Sequence, residues 1–200
     1  MAISGGFGLS DRTRLTGHLA LYFFYKSHGA GRVTHMSQEP NSETTPLMIR
    51  PAREADLPSV VALLAADSLG AGREVPPGPN GKVLDPAYGK AFAAMSMQGG
   101  NELLVAEIDG AVVGCLQFTV IHGVSRRGMS RAQIEGVRVA SSQRGQQVGQ
   151  RLMAFAIERA RSLGCGLVQL TTDQTRPDAH RFYERLGFKA SHIGMKLPLD

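Results

Sequence analysis

The segment Val137-Arg138-Val139-Ala140-Ser141-Ser142-Gln143-Arg144-Gly145-Gln146-Gln147-Val148-Gly149-Gln150-Arg151-Leu152 carries the clearest chemical implication in the chain. An apolar β-rich run enters a glycine-containing turn and passes directly into a helix. The first N–H groups of a helix have no partner within it, and the helix dipole puts about half a positive charge at the same end. Gly145 and Gly149 let the main chain approach a ligand closely, and Arg144 adds a fixed charge. The chemistry on offer is capture of an anion such as a diphosphate. A strand-to-helix turn that needs two glycines only for its shape fits the same spacing. The segment is neither a Walker loop nor the G-x-G-x-x-G dinucleotide fingerprint.

The elements that must hold this corner follow from periodicity. Met48-Ile49-Arg50-Pro51 is a short strand. Leu57, Val60, Val61, Leu63 and Leu64 recur at helical spacing within 54–69, with Gly70 as the stop. A Pro/Gly-rich loop, 71–81, precedes a second helical stretch from Asp85 to Met97. Two apolar runs, Glu102 to Ile108 and Val112 to Ile121, flank Asp109-Gly110, whose need for positive φ marks a hairpin. Leu116, Phe118 and Val120 line one face of the second run. Ala132 to Val139 is a further strand.

From Val148 to Leu163, the residues Val148, Leu152, Phe155, Ala156, Ala160 and Leu163 form one helical stripe, stopped by Gly164. Leu167 to Thr172 is a strand. Thr175-Arg176-Pro177-Asp178 has the make-up of a helix start with a hydroxyl cap, and Ala179, Phe182, Tyr183 and Leu186 share a face up to Gly187. Residues 188–198 are expected to form a last strand or hairpin. This order predicts an α/β domain, a mixed sheet with helices on both faces.

The two glycine-rich and aromatic motifs have a known counterpart. Arg144-Gly145-Gln146-Gln147-Val148-Gly149 resembles the acetyl-CoA pyrophosphate loop of the GNAT family of N-acetyltransferases, Gln/Arg-x-x-Gly-x-Gly/Ala. Asp178-Ala179-His180-Arg181-Phe182-Tyr183-Glu184-Arg185-Leu186-Gly187-Phe188 is similar to the family's Ala-x-x-Phe-Tyr-x-x-x-Gly-Phe signature. The hairpin, Ile134-Glu135-Gly136-Val137 and the opening Ile49-Arg50-Pro51-Ala52 fall in the family's order. The resemblance covers about residues 48–198 and is nearest to the aminoalkylphosphonate acetyltransferase-like members. Two departures stand out: Gln147 replaces the loop's first glycine, and Arg176 replaces the usual Asn near the start of the last helix.

The resemblance implies a single mostly antiparallel sheet whose central strands splay. Acetyl-CoA is the implied cosubstrate, held by Val137, Arg138 and Val139 along its pantetheine and by Arg144, Gly145, Gln146, Gln147, Val148 and Gly149 at its diphosphate. The acceptor is a primary amine of a small molecule or a protein. An aliphatic ammonium has a pKa of about 10.4, so a base must remove its proton. Glu135, a lone carboxylate expected to share a buried face with Val137 and Val139, is that base or else a partnered structural carboxylate. Main-chain N–H groups near Val137 would stabilise the oxyanion. Tyr183, a phenol of pKa near 10, would protonate a thiolate of about 8.5, or it is simply core. His122, Arg126, Arg127 and the loop around Arg73 and Glu74 are weaker acceptor-site readings, and His180 and Arg181 read as surface.

Composition sets the outer bounds. The chain has 200 residues, 42% hydrophobic and 20% charged, which suits one globular domain. Residues 1–47, rich in Gly, Ser and Thr around the island Leu19 to Tyr25, are expected to be a poorly ordered extension, and 48–200 the catalytic domain. Net charge is +5, yet no Lys/Arg run exceeds two residues and Trp is absent, which disfavours nucleic acid as a partner. No apolar run approaches the roughly 18 residues of a membrane span. Cys115 and Cys165 sit in apolar segments and read as buried thiols of a reducing, cytoplasmic compartment. No metal spacing is evident. A homodimer and a non-catalytic acyl-CoA sensor are compatible with the same sequence.

Overall fold

The computed structural model describes residues 46–67, 72–78 and 84–199. Nearly all of the expected N-terminal extension, and the helix stop at Gly70, lie outside the described residues. The element order is β1 (Met48–Pro51), α1 (Leu57–Ala65), α2 (Pro86–Met97), β2 (Asn101–Ile108), β3 (Ala111–Ile121), the single turn α3 (Ser125–Gly128), β4 (Arg131–Val139), α4 (Val148–Ser162), β5 (Leu167–Leu170) and α5 (Pro177–Arg185). The strands form one sheet in chain order, antiparallel from β1 to β4, with β4 and β5 parallel.

Each face of the sheet buries its own cluster. Leu104, Leu116, Phe118, Ala132 and Ile134 project to one side and meet Leu152, Met153, Ala156 and Ala160 of α4. Fully burying each Leu or Phe there contributes about 2 kcal/mol relative to leaving it exposed. On the opposite face Val105 and Cys115 pack with Val60 of α1. The α4 stripe differs from expectation at its edges. Phe155 and Leu163 are exposed and Met153 is buried instead, because the core contact is displaced by one residue around the helix.

Local signals explain most boundaries. Asp109 and Gly110 both adopt positive φ, 51° and 76°, as the two-residue hairpin requires. Asp85 caps α2 by accepting a hydrogen bond from the Ala87 N–H at 2.8 Å. The start of α5 departs from the reading. Arg176 occupies the cap position with no side-chain cap, and the Thr175 hydroxyl bonds Asp173 at 2.6 Å instead. No strand forms over 188–198; Phe188 is half-buried against the core and 189–198 are exposed. Cys115 is buried and Cys165 only half-buried, so the second thiol differs from the expected one. Burial pushes the Cys115 thiol up to about 12, which leaves it inert as a nucleophile at neutral pH.

Candidate active site

Two irregularities in β4 create the site. The first is a bulge. Cys115 pairs with Arg138 and Gln117 with Glu135, so Leu116 alone faces both Gly136 and Val137. Gly136 has φ 61°, a left-handed value that only glycine adopts cheaply. The extra residue flips the strand's alternation. Ala132 and Ile134 face α4 before the bulge, and Val137 and Val139 pack against that same cluster after it. Glu135 therefore lies on the opposite, α1 face and does not share a face with Val137 and Val139. It is also exposed rather than buried, so the expected desolvation of this carboxylate is absent.

The second irregularity is a parting of strands. Pairing between β4 and β5 runs from Arg131↔Leu167 to Ile134↔Leu170 and stops there. The other edge of β4 remains paired with β3 through Val139. The Ala140 N–H donates to the Val113 carbonyl at 2.8 Å, toward β3. Period-two alternation then turns the N–H groups of Val137 and Val139 toward the gap left by β5. The splay expected of the two central strands is present.

The turn after β4 leads these groups to the start of α4. Gly145 has φ 80° and Gln147 φ 60°, so the loop takes a left-handed bend at both positions. Gln147 adopts the conformation that glycine would favour there, at a cost of about 1–2 kcal/mol. The Arg151 N–H donates to the Gln147 carbonyl at 3.0 Å and closes the first helical turn. The N–H groups of Val148, Gly149 and Gln150 precede that bond and have no intrahelical acceptor. A side chain at Gly145 would meet nothing within 4 Å, so the space before the loop is open. At Gly149 it would rest in ordinary contact with Phe182 and Val139 at 3.5 Å, so α5 and β4 both pack beside the helix start.

Between these elements runs a groove of about 460 Å³, within the usual range for a small-ligand site. Val137, Arg138, Val139, Arg144, Gly145, Gln147, Val148 and Gly149 all line it, and so does Tyr183. Of the expected cofactor residues only Gln146 is absent from the lining. Its side chain turns back to donate to the Ser142 carbonyl at 3.3 Å. Glu135 is not part of this groove. Arg176 and Arg185 add positive charge to the walls, and their place there was not assigned from sequence. The fit to a diphosphate-bearing thioester is good: free amides, open space at Gly145 and four arginines converge on one cavity.

Tyr183 packs edge-on against Phe182 and Phe188, with ring centroids 5.2 and 5.9 Å away. Burial raises its pKa above the usual tyrosine value, opposed by the nearby charges of Arg176 and Arg138. The phenol is thus protonated at neutral pH. Behind it, Asp67 contacts both Arg138 and Arg176. Sequence reasoning missed Asp67, since a lone acid near the end of a helix gives no sign of a partner 71 residues away. The weaker acceptor-site residues are dispersed. His122 Nδ1 lies 2.8 Å from the Ser130 hydroxyl, and Glu74 accepts from the Tyr88 hydroxyl at 2.9 Å. Arg126 and Arg127 are exposed on α3 with left-handed φ of 53° and 62°.

A parted sheet, a helix start with free amides in the gap and a phenol on the wall are together the layout of a coenzyme A-dependent acyltransferase. The chain belongs to the acetyltransferase (GNAT) family, matched over residues 75–188, and is an acetyl-CoA-dependent N-acetyltransferase. It is 36% identical over 110 residues to aminoalkylphosphonate N-acetyltransferase of Salmonella typhimurium, covering 54% of this chain and 69% of that one. Glucosamine 6-phosphate N-acetyltransferase of Trypanosoma brucei brucei is 35% identical over 91 residues, 45% of this chain and 59% of that protein. Among solved structures, a protein described as a transcriptional regulator from Bacillus halodurans is 47% identical, with a TM-score of 0.73 over 77% of this chain and all of its own.

Proposed function

We propose that the chain transfers the acetyl group of acetyl-CoA directly to a primary amine on a small molecule that bears a phosphonate or phosphate. The observation that carries direct transfer is the single groove that brings the open edge of β4, the start of α4 and Tyr183 together. The anionic acceptor is supported by the names of the two relatives, an aminoalkylphosphonate and a glucosamine 6-phosphate acetyltransferase.

In this reading Val148, Gly149 and Gln150 offer main-chain N–H groups to the diphosphate, with Arg144 beside them, while Arg138, Val137 and Val139 flank the pantetheine. Glu135, exposed on the other face of β4, accepts the ammonium proton through water. The freed amine attacks the thioester carbonyl carbon, forming the C–N bond, and the nitrogen of the tetrahedral intermediate gives up its second proton to water. The oxyanion is met by N–H groups of β4 that face the gap. Its collapse breaks the C–S bond, and Tyr183 donates its proton to the departing thiolate. Residues 48–200 form the catalytic domain and 1–47 an appended extension.

Thiol release from acetyl-CoA, measured across aminoalkylphosphonates, amino-sugar phosphates, uncharged amines and lysine peptides, tests this reading. Turnover with the phosphorylated or phosphonylated amines is the expected result. Preferential turnover of lysine peptides would replace the small acceptor with a protein amine. Tight acetyl-CoA binding without turnover of any amine would make the chain a sensor.

A further inference from the structure

Asp67, Arg138 and Arg176 meet at the reacting end of the groove, and their charges do not balance. Arg138 stands opposite Cys115 and Glu135 opposite Gln117, so both project to the face of the sheet that carries α1. The main chain of Arg138 borders the cosubstrate groove, while its side chain crosses to this other face and meets Asp67 just beyond α1. Arg176, at the start of α5, reaches the same carboxylate. One carboxylate offsets one guanidinium, and the second cation is surplus. Arg138 is committed, since it also donates to the Val137 carbonyl at 2.8 Å. Arg176 is not. Its side chain is 36% exposed and lies 3.5 Å from Asp67, and it donates no hydrogen bond among the described residues. A guanidinium largely withdrawn from water without a hydrogen-bond partner is poorly compensated.

We infer that Arg176 binds the phosphonate or phosphate of the acceptor, against the Asp67–Arg138 pair. The inference rests on the anionic-acceptor reading above and adds the residue that selects the anion. A guanidinium presents a planar fork of donors that matches the oxygens of a phosphonate or phosphate. The diphosphate of the cosubstrate does not claim this fork. Both Arg176 and Arg138 act on the Tyr183 phenol, the donor to the departing thiolate, so they stand where the acyl group is transferred. The diphosphate is met instead by the start of α4 and Arg144. Glu135 and Arg138 pair with residues two apart on β3, a separation on the order of 7 Å along the strand. An acceptor whose amine faces Glu135 and whose anion faces the arginines carries the two groups only a few bonds apart.

Steady-state kinetics of the wild type and Arg176→Gln, with the phosphonylated or phosphorylated amine turned over best in the panel above, tests the assignment. The variant should raise the KM for that amine roughly 10- to 100-fold, the effect of one charge-assisted hydrogen bond, while the KM for acetyl-CoA moves far less. Methylphosphonate, which has the anion without the amine, gives a second readout on the wild type alone. It should inhibit competitively against the amine and not against acetyl-CoA. The inference is overturned, with the anionic-acceptor reading left standing, by an amine KM that Arg176→Gln does not move, by an acetyl-CoA KM that rises as much, or by methylphosphonate competing with acetyl-CoA. If the wild type turns over no phosphonylated or phosphorylated amine, that reading falls and the inference falls with it.

Discussion

One Asp67 carboxylate oxygen lies 2.9 Å from a guanidinium nitrogen of Arg138 and 3.5 Å from one of Arg176. A single acid beyond the end of α1 thereby joins β4, just past its bulge, to the start of α5. Those are the two elements between which the groove opens. The contact with Arg138 is an ion pair without hydrogen-bond alignment, and the Arg138 Nε is buried without a partner. Arg138 also donates to the Val137 carbonyl at 2.8 Å, which fixes the guanidinium along the strand.

Removing the acid should therefore cost stability. Asp67→Ala leaves the largely buried Arg138 with no counter-charge, a change worth about 3 kcal/mol. Urea denaturation of the two proteins gives the difference, and a loss below about 0.5 kcal/mol, the level of an ordinary surface substitution, would show that the pair is not structural.

Tyr183→Phe separates chemistry from binding. The ring stays in its aromatic contacts and only the proton donor is lost. Turnover should fall roughly 100-fold, the usual contribution of a general acid, while the KM for acetyl-CoA holds. Because burial raises the Tyr183 pKa, the wild-type rate should show no loss from its ionisation until above about pH 10, the usual tyrosine value. Steady-state kinetics across pH would reveal an earlier alkaline limb if another group is the donor.

Gln147→Gly should improve the protein. A left-handed φ of 60° strains any residue with a Cβ. Glycine relieves that strain and gives back part of the gain as unfolded-state entropy, for a net stabilisation of about 0.5–1 kcal/mol. Thermal denaturation reads the gain, and acetyl-CoA affinity should be equal or tighter. Weaker binding would mean that the Gln147 side chain itself holds the cosubstrate.

Acid stability should track Asp56. Its carboxylate receives two hydrogen bonds from Arg50, at 2.7 and 3.0 Å, and one from the Arg53 N–H at 2.7 Å. The hydrogen bonds from Arg50 hold its pKa below the usual carboxylate value. A depressed folded-state pKa contributes stability that is complete above the unfolded value of about 3.9 and is lost as pH falls through the folded value. Denaturation midpoints should drop on acidification below about pH 4, and Asp56→Asn should flatten that part of the profile. An equally steep fall in the variant would assign the acid transition elsewhere.

The sequence made the scaffold legible wherever a local rule decides the outcome. Asp109-Gly110 announced its hairpin because two positive φ values leave few residue choices. The start of α4 announced an anion site because glycines and a strand-to-helix junction have a chemical meaning of their own. The bulge at Gly136 was invisible, since one glycine in a strand has several explanations, and it alone moved Glu135 to the other face. The cap at α5 was misjudged because Asp173 competes for the Thr175 hydroxyl. Residues 188–198 have strand periodicity, but period alone does not supply a partner.

The account rests on the junction of β4 and α4 gripping the diphosphate of coenzyme A. Calorimetric titration of the protein with coenzyme A and, separately, with pantetheine, which lacks the diphosphate and nucleotide, tests this most directly. The account predicts saturable binding of coenzyme A and pantetheine binding weaker by at least about 100-fold, a loss of roughly 3 kcal/mol. Equal affinities, or no binding of coenzyme A at all, would contradict it.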